Sequence, residues 1–83
     1  MKHQSHPEII KRLKRAEGHL RNVIAMIEDE RPCVDLAQQL HAVEKALIAA
    51  KRELIHDHIE NCVEGASNGR AALNEVKQLT KYL

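Results

Sequence analysis

Aromatic side chains are almost missing from this chain of 83 residues: Tyr82 is the only one, and there is no Trp or Phe. An aliphatic core in so short a chain buries little surface, so a lone folded monomer is a poor expectation and association with further copies the usual remedy. Three glycines and two prolines leave no Gly-rich phosphate loop and few places to break a helix. Two cysteines are too few for a disulfide scaffold; in a reducing compartment they read as thiols for metal or redox work. There is no apolar run long enough to span a bilayer and no signal-peptide pattern, so the expected location is cytoplasmic, with no membrane partner. The net charge is only +1, but it is unevenly spread. Lys2, Lys11, Arg12, Lys14, Arg15 and Arg21 make the first quarter basic, while acids gather at Glu28, Asp29 and Glu30 and from Asp57 to Glu64.

What is present is helical periodicity. From Cys33 to Glu64 there is neither glycine nor proline, and Leu36, Leu40, Val43, Leu47, Ala50 and Leu54 recur at alternating steps of four and three. That spacing is the apolar stripe of one long helix. Before it, Ser5, Pro7 and Glu8 read as a capped start to a first helix that runs to about Glu30. Ile9, Leu13, Ala16, Leu20, Val23 and Ile27 form its seam. The polar run Glu28 to Pro32 predicts a tight connection, hence an antiparallel hairpin. Residues 65–69 read as a flexible loop. A third helix is expected from about Arg70 to Tyr82, with Leu73, Val76, Leu79 and Leu83 as its apolar residues. The expected fold is all-α, one domain over 1–83, with residues 1–5 as a mobile tail.

The metal-capable residues lie at the two ends of the long helix. His58 and Cys62 are one turn apart on one face. Cys33 precedes His58 by 25 residues, about 37 Å along a straight helix at ~1.5 Å per residue. These side chains cannot meet within one unbroken helix. An antiparallel second copy would bring its own Cys33 to them, and two-fold symmetry would make two equal sites. The crossing is expected near Ala46, Ala49 and Ala50. Two thiolates and an imidazole suit three-coordinate Cu(I), or Ni(II), Co(II) or Zn(II) with a further ligand. His3 and His6 on the tail are candidate extra ligands, and Glu75 is a candidate acceptor for the ring nitrogen of His58 that does not bind metal. The plainer reading is two small buried cysteines and a solvated histidine. Lys11, Arg12, Lys14 and Arg15 are candidate phosphate contacts, against the plainer reading of a solvated helix face. No catalytic Ser/His/Asp order and no paired acids support an enzyme.

The segments RLKRAEGHL at 12–20, CVDLAQQLHAVEKAL at 33–47 and HDHIENC at 56–62 resemble the copper-sensitive operon repressor and nickel/cobalt repressor family (CsoR/RcnR). The resemblance covers most of the chain, from about Ile10 to Leu79. It implies an all-helical transcriptional repressor whose antiparallel dimers pair into a disc-shaped homotetramer. It also implies metal on Cys33 of one chain with His58 and Cys62 of the other. The apo protein would bind double-stranded operator DNA, and metal would release it, permitting expression of an exporter. Arg12, Lys14 and Arg52 match basic positions of the family's DNA-binding face, and Glu75 matches an outer glutamate. Pro32 stands where copper sensors often have tyrosine, and nickel and cobalt sensors take a ligand from the tail. Cu(I) is the favoured metal, with Ni(II) or Co(II) the alternative. A thiol or persulfide sensor, a metal-binding module without a DNA role, and a plain helical dimerisation domain are the competing readings.

Overall fold

A computed structural model describes the backbone over residues 6–64 and 69–83, with side chains described over 6–60 and 69–83. Among these residues the chain is all helical: α1 (His6–Glu28), α2 (Cys33–Glu64) and α3 (Gly69–Leu79), closed by a short 3-10 turn, Thr80–Tyr82. The expected order of three helices is what is found. The expected Ser5 cap, the residue 1–5 tail and the loop at 65–68 lie outside the described residues.

The first helix ends two residues earlier than its periodicity suggests. Glu30 adopts a left-handed backbone, φ 56°. Its N–H reaches the Ile27 carbonyl at 3.0 Å, and the Arg31 N–H reaches the Met26 carbonyl at 3.1 Å. These paired bonds are the Schellman ending of a helix, which satisfies carbonyls that would otherwise be orphaned. Pro32 then opens α2, its carbonyl accepting from the Leu36 N–H at 3.1 Å. Proline has no N–H to lose there, so it stops α1 without weakening α2. The result is the antiparallel α1–α2 hairpin, and α3 packs back against α2.

The four-three rhythm resolves into two stripes with different fates. Ile9, Ala16 and Val23, spaced by seven, are buried against α2, Val23 completely. Val43 and Ala50 are buried and Leu36 half-buried in return. The intervening residues, Leu13, Leu20 and Ile27 on α1 and Leu40, Leu47 and Leu54 on α2, remain between 40% and 50% exposed. An apolar groove of about 430 Å³, lined by Leu20, Leu40, Val43, Leu47 and Ile48 among others, places the exposed stripes of both helices on one side of the hairpin. Ala50 is used inside the hairpin, and Ala46 and Ala49 lie on the other side. Leu47, rather than an alanine, therefore lies midway along the exposed apolar face of α2. In α3, Ala72 is the buried residue, Val76 and Leu79 are half-buried, and Leu73 is exposed, so its inward face is turned one position from the expected one.

The molecule is a slab of 55 × 23 × 13 Å with a radius of gyration of 17.1 Å. A compact chain of this length would have a radius nearer ~12 Å. Thirteen ångström is about one helix thick. A single layer has no second layer to cover its apolar side, and stable domains need at least two.

Candidate metal centre and nucleic-acid face

α2 is one continuous helix of 32 residues, about 48 Å long at ~1.5 Å per residue. Cys33 is its first residue, and its thiol is free and exposed. His58 lies six residues before its end. At ~100° per residue, Cys33, Leu40, Leu47, Leu54, His58 and the register position of Cys62 fall within an arc of roughly 80°. The candidate ligands therefore share the exposed leucine face, at its opposite ends. Among the described residues no group of three His, Cys, Asp or Glu is gathered to hold a metal ion. The side chain of Cys62 lies outside the described residues.

His58 is partly buried, and its Nε2 meets Glu75 Oε1 at 2.6 Å. The carboxylate accepts, so Nε2 carries the proton and Nδ1 is the nitrogen with ligand character. Glu75 comes from α3, so one side chain ties the third helix to the candidate ligand. His6 begins α1 at the same end of the slab, its Nε2 3.8 Å from Asp57 Oδ2. Asp57 is the one charged side chain buried among the described residues, at 8% exposed. Sequence reasoning missed it, although a signal was there: Asp57 follows Ala50 by seven, in the phase that packs against α1. His3 lies outside the described residues.

The basic run of α1 is divided by the helix. Arg12 and Arg15 line a cleft of about 330 Å³ with Ala16 and His19, facing Ala46 and Ala49 of α2. Lys14 sits on the opposite flank with Ile10, Leu13 and Glu17. Lys11 and Arg52 are exposed. Arg12 reaches across the hairpin to Glu53 at 2.8 Å. His19 Nε2 is 2.7 Å from Gln39 Oε1. These ties between α1 and α2 were not foreseen either, because they depend on how two helices are rotated against each other.

Comparison with known proteins adds to this geometry. The sequence model of a family described as metal-sensitive transcriptional repressor matches residues 5–82. The copper-sensing transcriptional repressor CsoR of Mycobacterium ulcerans (strain Agy99) is 40% identical over 76 residues, which cover 88% of this chain and 65% of that protein. The CsoR of Bacillus subtilis (strain 168) is 36% identical over 77 residues, covering 89% of this chain and 76% of that one. This chain thus spans about two thirds of the length of the mycobacterial protein. Among solved structures, the nickel-responsive transcriptional regulator InrS superposes with a TM-score of 0.83 at 31% identity, covering 100% of this chain and 98% of that one.

Proposed function

The chain belongs to the metal-sensitive transcriptional repressor family, and from that premise we propose that it is a repressor whose hold on operator DNA is set by a metal ion shared between two copies. The observation that carries this reading is the placing of Cys33 and His58 at opposite ends of one unbroken helix, on the face that carries exposed leucines. Two such faces laid antiparallel, crossing at Leu47, would cover each other's leucines and bring Cys33 of each copy to His58 and Cys62 of the other. Further pairing into a tetramer follows the family pattern.

The donor set fits a soft ion. Cys33 and Cys62 would supply thiolates, and His58 would supply Nδ1, with its ring orientation fixed by Glu75 on Nε2. Cys33 and Cys62 would have to be deprotonated to hold the ion, and their shared hold would tie the start of one α2 to the end of the other. Cu(I) accords with the three-donor set and with the copper-sensing relatives. A nickel or cobalt reading is favoured by two observations: His6 starts α1 at the His58 end of the slab, and InrS, whose fold is similar, is nickel-responsive.

DNA would be held by the basic side of the hairpin, through Arg12, Arg15 and Arg52 with Lys11 beside them; Lys14 lies on the opposite flank of α1. An ion can shift the DNA equilibrium only through its different affinity for the two states. The expected coupling is about 1–3 kcal/mol, or roughly 5–150-fold in operator affinity. Fluorescence anisotropy on a duplex selected from a random library, titrated with and without Cu(I) under reducing conditions, tests it. Weakening of DNA binding at one Cu(I) per chain supports the reading; equal affinity with and without Cu(I) or Ni(II) overturns it.

A further inference from the structure

Asp57 precedes His58 by one residue yet faces a different way. It continues the seven-residue spacing of Val43 and Ala50, the α2 positions buried against α1, and is itself only 8% exposed. At ~100° per residue it is turned about a quarter of the way round α2 from His58. His6, the first residue of α1, meets it from the neighbouring helix, with Nε2 3.8 Å from Oδ2. A carboxylate buried this far is costly without an opposing charge, and His6 is a partner that the hairpin brings to it. The His6 imidazole is thereby engaged on the hairpin side of α2, not on the leucine face that carries Cys33 and His58.

We propose that Asp57 determines metal specificity by holding His6 away from the ion, which keeps the donor set at Cys33, His58 and Cys62. The inference deepens the metal-sensing reading and rests on it. Two thiolates and one imidazole suit three-coordinate Cu(I), whereas Ni(II) is better served by a fourth donor, for which an imidazole is suited. Which ion binds best then turns on whether a second imidazole can join. Side-chain tips stand ~5–6 Å from a helix axis, so a quarter turn separates the Asp57 carboxylate from the His58 ring by about 8 Å. A metal–nitrogen bond spans about 2 Å. An imidazole held at Asp57 is therefore outside bonding range of an ion on His58. Helix ends fray, however, and a histidine on the first residue of α1 can cross that gap once released. Glu75 gives the contrast: it accepts from His58 at 2.6 Å and orients a ligand, where Asp57 detains one. His6, Asp57, His58 and Glu75 are all described, and no three of them gather into a group that could hold a metal ion, as withholding requires.

The test uses the full chain under reducing conditions, with Ni(II) and Cu(I) each titrated against a competing chelator. Asp57→Asn keeps the shape of the side chain and removes its charge. It should bind Ni(II) roughly tenfold or more tightly than the parent, with Cu(I) affinity changed by less than about threefold. The absorption spectrum of the Ni(II) form should shift as a nitrogen donor joins. Adding His6→Ala to Asp57→Asn should return Ni(II) affinity and spectrum to those of the parent, which a general loosening of the fold would not do. His6→Ala alone should leave Ni(II) affinity unchanged, because the parent already withholds the histidine. Should Asp57→Asn lose its helical circular dichroism, Asp57→Ser carries the same comparison. Unchanged or weaker Ni(II) binding in a folded Asp57 variant would overturn the proposal and leave the metal-sensing reading standing. So would a fall in Ni(II) affinity in His6→Ala, which would make His6 a ligand in the parent. A parent protein that binds neither ion would overturn both.

Discussion

His58 has two ring nitrogens in different roles. Nε2 is fixed by Glu75 at 2.6 Å, so the orientation of Nδ1 is set by a residue on another helix. Replacing Glu75 with Gln keeps the shape and removes the charge that favours this arrangement. Glu75→Gln should therefore weaken Cu(I) affinity about 10–100-fold while leaving apo operator binding near the parent value; competition with a Cu(I) chelator would measure it. Cys33→Ala addresses the other end of α2. It should still bind the duplex but stop responding to metal, and loss of DNA binding as well would make Cys33 a structural residue. At this scale the sequence was legible where spacing alone decides geometry. His58 and Cys62, four apart on a helix, share a face by arithmetic. It was much less legible for Asp57 and Glu53, whose partners His6 and Arg12 lie on another helix. Pairs of that kind depend on the rotation of α1 against α2, which no single-helix pattern encodes.

The connection between α1 and α2 shows how an element's boundary is set by backbone rather than by hydrophobic pattern. The apolar rhythm of α1 continues through Ile27, and nothing in it fixes the last residue. Glu30 ends the matter by taking φ 56°, a conformation that an L residue with a Cβ adopts at some cost. Glycine has no such cost, so Glu30→Gly should stabilise the hairpin by about 1 kcal/mol, offset in part by the greater freedom of glycine in the unfolded chain. Thermal and urea unfolding would measure it. A lower midpoint would show that the Glu30 side chain matters more than its backbone. In α2 the absence of glycine and proline from 33 to 64 was enough to read a single rod, and a single rod of 32 residues is present. The four-three rhythm was equally visible, but not its division. Residues spaced by seven separate into one stripe that the hairpin buries and another that it leaves exposed, and only the partner helix decides which is which.

As a whole the chain is one helix layer thick, with its leucines on one side and its alanine-floored cationic cleft on the other. Each exposed leucine, already partly covered, would contribute about 1 kcal/mol on full burial in a second copy. A charge at the centre of that face should prevent this. Leu47→Arg is expected to sediment as a smaller species than the parent protein and to lose stoichiometric Cu(I) binding, while circular dichroism retains its helical signal. A variant of unchanged size would place the contact between copies elsewhere. The poverty of aromatics and the length of α2 are what make the sequence point to a partner. It did not reveal that Ala50 is buried inside the hairpin, because only packing shows that. The central claim is that each metal centre takes Cys33 from one chain and His58 with Cys62 from another. The direct measurement mixes Cys33→Ala chains with His58→Ala/Cys62→Ala chains, neither of which binds Cu(I) tightly alone. After unfolding and refolding together, random pairing should restore about a quarter of the parent's tight Cu(I) capacity, since half the dimers would be mixed and each would hold one complete site. No recovery in mixed dimers shown to have formed would contradict the account.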